Sequence, residues 1–139
     1  MSRENVEVVR QIYEAVARRD RRAILALYDA GVELSFFPGT LADHIVGGPA
    51  VWRGHDCLRT FDRELRDAFE NFETNYEELI DAGEHVVSVS RYRGRGRRSG
   101  VNIDGPLQFL VWSIRARKVT EVSWYPSRDE ALEAVGLRE

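Results

Sequence analysis

The order of hydrophobic and polar positions predicts helices in the first half of the chain. Apolar residues recur at helical spacing over residues 3–19. Asp20 has the side chain of an N-cap for a second helix, which we expect to carry Tyr28 inward and to stop near Gly31. Residues 32–39 then change to strand alternation, and residues 55–69 return to helical spacing after an irregular stretch.

The second half of the chain has the pattern of strands joined by tight turns. Ser127 and Glu130 follow them at capping-box spacing, which predicts a short final helix. Helices followed by long strands indicate an α+β domain in which helices cover one face of a curved sheet. The predicted strands occupy residues 73–80, 85–95, 101–115 and 118–126.

The segment RYRGRGRRSG, residues 91–100, concentrates five arginines in ten positions. Its side chains continue a period-two alternation that begins at Val87, which is typical of a strand, and Ser99 and Gly100 mark a hairpin turn. The whole chain has a formal charge of −3 and a pI near 5.7, whereas nucleic-acid-binding domains are usually basic. We therefore interpret the segment as a solvated hairpin and expect no nucleic-acid partner.

Composition predicts one soluble domain over residues 1–139, with 43% hydrophobic and 31% charged residues. The single cysteine, Cys57, has no partner for an internal disulfide, which suits a reducing compartment. No apolar run is long enough to span a bilayer, and the N-terminus lacks the apolar core of a signal peptide. We expect a cytoplasmic protein with no membrane partner.

With this order of elements, the segments YEAVARRD, DAGEHVVSVSRYRGRGRRSG and SRDEALEAVGL make the chain resemble the nuclear transport factor 2-like superfamily, in particular its SnoaL-like, polyketide cyclase-related branch. The resemblance covers about residue 4 to residue 137. It implies one SnoaL-like domain with a cone-shaped, curved, mixed or antiparallel sheet and helices packed on its concave face, a cystatin-like α+β barrel. It also implies a pocket that opens at one end of the cone.

Side chains along a strand alternate between the two faces of a sheet. Under this resemblance, that alternation assigns the residues that face the pocket. Most are aromatic or aliphatic, with a few hydrogen-bonding groups, as in small-molecule sites; the inward set is Ser88, Ser90, Tyr92, Gln108, Leu110, Trp112, Ile114, Thr120, Val122 and Trp124. We expect Gln108 to be the central polar group. The alternative that Trp112 and Trp124 only fill the core stays open. The predicted ligand-binding residues are Tyr13, Phe36, Ser90, Tyr92, Gln108, Leu110, Trp112, Val122 and Trp124.

Known chemistries of the superfamily do not match these positions. The ketosteroid isomerase base, tyrosine and acid fall on Phe36, Ile12 and Gln108, and the essential acid of limonene-type epoxide hydrolases falls on Trp124. The remaining candidates for catalysis are Asp43 and His44, since a histidine beside a carboxylate can act as a general base. The histidines and Cys57 lack metal-ligand spacing, so we expect neither a metal nor a cofactor.

Three classes of function and a partner follow. The first is a protein that binds a small hydrophobic or aromatic molecule; the alternative is a cyclase, isomerase or hydrolase acting on a polyketide-like or other ring-containing substrate. A pure interaction module, with a filled pocket, is the third possibility. The outward phase predicts an exposed apolar patch and hence a homodimer through the outer sheet face; this phase comprises Val87, Val89, Phe109, Val111 and Tyr125, with Arg91 and Arg93 at the rim.

Overall fold

A computed structural model describes residues 2–37, 40 and 51–137, and within them four helices and six strands follow one another along the chain. The elements are α1 (Ser2–Arg18), α2 (Arg21–Ala26), β1 (Tyr28–Phe36), β2 (Val51–Arg53), α3 (His55–Ala68), β3 (Phe69–Ala82), β4 (His85–Gly96), β5 (Asn102–Arg115), β6 (Lys118–Tyr125) and α4 (Arg128–Ala134).

All six strands form one curled, unclosed sheet in the order β2-β1-β6-β5-β4-β3. The β1–β6 pair is parallel and every other neighbouring pair is antiparallel. The predicted α+β class with a mixed, cone-shaped sheet is therefore confirmed.

The second helix is shorter than predicted. Asp20 caps it as expected, accepting a hydrogen bond from the Ala23 amide at 3.1 Å, but α2 ends at Ala26 and Tyr28 already belongs to β1. Tyr28 pairs with Val119 of β6. The position at which α2 ends is decided by pairing with a strand that lies far away in sequence. Helical spacing is a local pattern and does not predict such a contact.

The main core lies between α1, α3 and the inner face of the sheet. The inward phase is confirmed along β5 and for Val122 and Trp124 on β6, because these side chains belong to that core. Thr120 is a correction: Val119 occupies the inner position in its place, with 0% exposure. The cause is an irregularity in register between Ser113 and Ile114, which shifts the phase of β6.

The outer face of the sheet is covered by α4, which corrects two predictions. Ala131 and Leu132 of α4 pack on Val87 and Val111 in a second buried cluster, so the helices do not all lie on the concave face. Val87 is 0% exposed and Val111 is 7% exposed, and the predicted open patch is not present there. The homodimer stays a prediction, but it no longer has the exposed patch on which it depended.

The arginine segment forms the end of β4 and the turn that follows it, as predicted. Its side chains pair across the sheet with β3: Arg93 Nε lies 2.6 Å from a Glu73 carboxylate oxygen, and Arg91 contacts Glu77 and donates to the Gly105 carbonyl at 2.6 Å. These exposed ion pairs align oppositely charged side chains along the outer face of the β3–β4 ladder.

Candidate functional site

A buried serine connects helix α1 to the inner face of the sheet. The hydroxyls of Ser88 and Tyr13 lie 2.9 Å apart, and the Trp112 indole N–H donates to the same Ser88 oxygen at 2.8 Å. Ser88 is completely buried, and Tyr13 and Trp112 are 7% and 4% exposed. Burial raises the pKa of Tyr13, and the Ser88 and Ser90 hydroxyls oppose that rise. Tyr13 is therefore a neutral phenol, able to donate a hydrogen bond, at physiological pH.

Two further hydroxyls on the same face are buried and have no hydrogen-bond partner among the described residues: Ser90 Oγ and Thr74 Oγ1. The Ser90 hydroxyl lies near enough to the Tyr13 phenol to lower its pKa, but the two oxygens do not meet the geometry of a hydrogen bond. An unpaired buried hydroxyl costs about 1–3 kcal/mol, so native proteins rarely retain one without a water or ligand to satisfy it.

Strand register brings these hydroxyls to one region of the sheet. Ser90 of β4 lies opposite Tyr76 of β3 and opposite Gln108 of β5. Thr74 lies opposite Tyr92, two positions along β4 from Ser90. Because alternate residues of a strand share a face, all five side chains project from the inner surface. We call this set the hydroxyl cluster.

Aromatic rings lie within and beside the hydroxyl cluster. The ring of Tyr76 meets Tyr13 edge-on at 5.3 Å between centroids, and Tyr92 stacks on Phe72 at 5.8 Å. Tyr76 is 38% exposed. Burial raises the pKa of Tyr92, which therefore also stays neutral. The region thus has ring surfaces for an apolar body and uncharged groups for hydrogen bonds.

The predicted ligand-binding residues separate into two groups. Those in the main core have relative exposures of 0–7% and pack on one another; for example, the rings of Phe36 and Trp124 lie 4.9 Å apart. The packing of Trp112 and Trp124 therefore agrees with the alternative that they fill the core. The core group is Tyr13, Phe36, Leu110, Trp112, Val122 and Trp124. Ser90, Tyr92 and Gln108 belong to the hydroxyl cluster.

Gln108 lies opposite Ser90 in the hydroxyl cluster, and its role as the central polar group of a pocket stays a prediction. It is half-buried, and among the described residues its side chain makes no hydrogen bond, whereas Ser88 joins two partners. Sequence reasoning missed Thr74 and Tyr76. Both lie on the strand predicted from residue 73 onward, and extending the inward alternation from Ser90 across to that strand would have found Tyr76.

The histidines that the structure describes are engaged in contacts with other groups of the protein. Asp43 and His44 lie outside the described residues. His55 Nε2 lies 3.0 Å from the Tyr28 carbonyl oxygen, and His85 Nδ1 lies 3.0 Å from the Ser113 hydroxyl. Within the described ranges, no group of His, Cys, Asp and Glu side chains could hold a metal ion.

Cys57 is buried in the main core at 6% exposure. Burial raises the pKa of its thiol to about 11, and the Asp56 carboxylate adds to the rise. A thiol with this pKa is protonated near neutral pH and is a poor nucleophile.

One surface cleft lies on the opposite side of the sheet from the hydroxyl cluster. It is lined by Phe37, Tyr125, Pro126, Glu130, Glu133 and Ala134. The rings of Phe37 and Tyr125 stack there at 4.6 Å. This outer cleft provides an internal comparison for any experiment that locates a ligand.

The chain belongs to the SnoaL-like domain family, whose model matches residues 9–122. No curated protein sequence gave a match. Within the part of the chain that the structure describes, no helix is both long and apolar enough to cross a lipid bilayer.

Solved structures share the fold at low sequence identity. An NTF2-like protein of unknown function from Burkholderia pseudomallei is 21% identical, covers 96% of this chain and 98% of its own, and superposes with a TM-score of 0.76. TerC, crystallised with polyporic acid, is 20% identical over 95% of this chain and 98% of its own, with the same TM-score of 0.76. A Mycobacterium tuberculosis protein in complex with estradiol-17β-hemisuccinate is 13% identical over 88% and 92%, with a TM-score of 0.72.

Proposed function

We propose that this protein binds a small, uncharged aromatic or polycyclic molecule at the hydroxyl cluster, on the inner face of β3, β4 and β5. The observation that carries the proposal is the pair of buried, unpaired hydroxyls of Ser90 and Thr74. A bound oxygen-bearing ring would give both groups a partner and would recover the free energy lost by burying them.

The chemistry of the surroundings supports the class of ligand. The described side chains of the hydroxyl cluster are hydroxyls, phenols and one amide, and none carries a charge at neutral pH. A charged ligand would lose its hydration there, and no member of the set supplies a counter-ion. Rings of Tyr76, Tyr92 and Phe72 offer stacking and edge contacts to an aromatic body.

Similar folds support a small organic ligand, whereas the absence of charge is argued from this chain's own residues. TerC was crystallised with polyporic acid and the M. tuberculosis protein with an estradiol derivative, and both compounds are oxygenated ring systems. SnoaL-like and NTF2-like proteins share one scaffold, while the chemistry depends on the side chains grafted on it. This chain's own hydroxyls therefore carry the proposal, and the relatives agree with it in the binding of small organic molecules.

The alternative is a cyclase, isomerase or hydrolase that acts on such a ring compound. It requires an acid or base at the hydroxyl cluster, and the candidates for that role remain Asp43 and His44. Binding is the function that the described geometry supports. Location in the cytoplasm and pairing into a homodimer stay predictions beside it.

Titration with 2-naphthol, followed by tryptophan fluorescence, tests the proposal. Trp112 contacts Tyr13 in the main core, so a ligand at the neighbouring hydroxyl cluster should change its emission in a saturable way. The double variant T74V/S90A removes both unpaired hydroxyls with little change of volume. We expect its affinity for 2-naphthol to fall about tenfold or more, the loss that corresponds to about 1.4 kcal/mol.

Ser123→Ala is the matched control. Ser123 is also buried, at 5% exposure, but it lies between the inward residues Val122 and Trp124 and so projects to the outer face. Its replacement should leave the affinity unchanged. Failure of the wild type to bind 2-naphthol, or equal affinity in wild type and T74V/S90A, would contradict the proposal.

A further inference from the structure

The outer cleft has an apolar lining that is open to solvent. Its two rings, Phe37 and Tyr125, stack between the end of β6 and helix α4. The Phe37 amide donates to the Trp124 carbonyl at 3.2 Å, which holds this residue beside β6, and 39% of its surface remains exposed. The cleft has a volume of about 480 Å³, which is within the range of small-molecule sites.

Two carboxylates of α4 also line the outer cleft. Glu130 and Glu133 are three positions apart, which places them on one flank of the helix. One Glu130 oxygen accepts from the Ser127 hydroxyl at 2.9 Å, whereas the Glu133 carboxylate has no hydrogen-bond or ion-pair partner among the described residues. The only basic residue of α4, Arg128, donates through two nitrogens to Glu78, each at 3.1 Å. Negative charge therefore lines the cleft without a described cation to neutralise it.

The two rings complement this charge. Burial raises the pKa of the Tyr125 phenol, and the Glu121 carboxylate adds to the rise, because a negative neighbour disfavours a second negative charge. Tyr125 is therefore neutral at physiological pH. The stacked pair leaves one face of each ring uncovered by the other, and a ring face attracts a cation. Rings and carboxylates thus favour the same sign of charge in a ligand, and both disfavour an anion.

We infer that the outer cleft is a second binding site, which takes a small organic ammonium ion with an aromatic body. The aromatic body packs on the exposed ring surface of Phe37 and on Pro126 and Ala134, which complete the apolar lining. The ammonium group lies close to the Glu133 carboxylate and stays partly hydrated, because the cleft is open to water. The inference does not rest on the proposed function, since the outer cleft and the hydroxyl cluster lie on opposite sides of the sheet.

Two compounds of nearly the same shape test the inference: 2-phenylethylammonium, which is charged, and 2-phenylethanol, which is not. Binding is followed by NMR on uniformly ¹⁵N-labelled protein. The ammonium ion should shift the backbone amides of Tyr125, Glu133 and Ala134 in a saturable way. Its affinity at these amides should exceed that of the alcohol about fivefold or more. Added salt should lower the affinity of the ammonium ion and leave that of the alcohol unchanged, because salt screens exposed charges.

Three variants at exposed positions separate the contributions of charge and ring. Glu133→Gln keeps the shape of the side chain and removes its charge, so the affinity of the ammonium ion should fall about threefold or more. Asp129→Asn is the matched control: it removes one carboxylate from the same helix, but Asp129 does not line the cleft, and the affinity should fall less. Phe37→Leu keeps an apolar side chain and removes the ring face, so the preference for the ammonium ion over the alcohol should decrease.

Several results would overturn the inference. The first is the absence of saturable shifts at the outer cleft when 2-phenylethylammonium is added to the wild type. The second is equal affinity of the two compounds there, which would show apolar contact alone. The third is an equal loss in Glu133→Gln and Asp129→Asn, which would show an effect of net charge instead of a site. The binding of 2-naphthol at the hydroxyl cluster is a separate measurement, so the proposed function stands or fails independently.

Discussion

Two serines on β4, Ser88 and Ser90, should respond in opposite ways to replacement by alanine. Ser88→Ala should lower the free energy of unfolding, and Ser90→Ala should raise it. Ser88 and Ser90 are both 0% exposed and lie on the same face of the same strand. Strand propensity and the volume of the deleted atom are therefore matched. The difference between them is pairing: Ser88 has two hydrogen-bond partners, and Ser90 has none within the part of the chain that the structure describes.

The expected magnitudes follow from the groups left behind. Ser88→Ala strands the Trp112 N–H and the Tyr13 hydroxyl in the core, each at about 1–3 kcal/mol, so the free energy of unfolding should fall by at least about 2 kcal/mol. Ser90→Ala removes a hydroxyl that is already unpaired and should raise the free energy of unfolding by about 1 kcal/mol. The two variants should then differ by about 3 kcal/mol, on the order of 10 °C in melting temperature for a domain of this size.

Urea denaturation followed by circular dichroism measures this difference, with the slope against urea concentration confirming that the exposed surface is unchanged. The measurement is made without ligand, because a ligand would stabilise the wild type through Ser90. A Ser90→Ala variant that is destabilised as much as Ser88→Ala would show that Ser90 has a protein partner. The basis for the proposed site would then be lost.

Three further predictions concern other parts of the molecule. Leu132→Ala should lower the free energy of unfolding by about 2–4 kcal/mol in urea denaturation, because Leu132 is only 3% exposed and packs on Val87 and Val111. The same change at Leu137, which is 36% exposed, should lower it far less. Equal losses would contradict the covering role of α4. Cys57 holds its proton in the folded state up to a pKa of about 11, above the ordinary value near 8.5, so stability should fall as pH rises between these values. Cys57→Ala should flatten this fall in pH-dependent unfolding while 2-naphthol binding stays intact; an unchanged slope would contradict the assignment. Glu73→Gln should cost no more than about 1 kcal/mol because its ion pair with Arg93 is exposed, and a loss that high salt does not reduce would refute a screened surface pair.

The sheet and its inner face could be predicted because strand alternation is a local signal. Period two placed Leu110, Trp112 and Trp124 on one side, and all three lie in the main core. The same rule failed at Thr120, where a register irregularity against β5 shifts the phase. Such an irregularity depends on the partner strand, and the pattern of β6 alone does not contain it.

The location of α4 shows the limit of reasoning from periodicity. The Ser127–Glu130 cap and the apolar positions of the final helix were visible in the sequence, and the structure has the Glu130 amide donating to Ser127 Oγ at 3.2 Å. The periodicity of the final helix does not indicate which face of the sheet the helix covers. Because α4 packs on Val87 and Val111, the patch that suggested a homodimer is a second core within one chain.

The candidate site was predictable only in part for a similar reason. Residue type indicated Ser90, Tyr92 and Gln108, but whether a buried hydroxyl is paired depends on distances across strands and to α1. Ser88 and Ser90 are indistinguishable in sequence, and only their geometry separates a hydroxyl with two partners from one that is unpaired among the described residues.

The most direct test of the central claim is to locate bound 2-naphthol by NMR on uniformly ¹⁵N-labelled protein. We predict the largest saturable shifts at the backbone amides of Thr74, Ser90 and Gln108, with smaller shifts at Tyr13. Residues of the outer cleft, such as Tyr125 and Glu133, should not shift. Saturable shifts confined to the outer cleft, with Ser90 and Thr74 unmoved, would contradict the account.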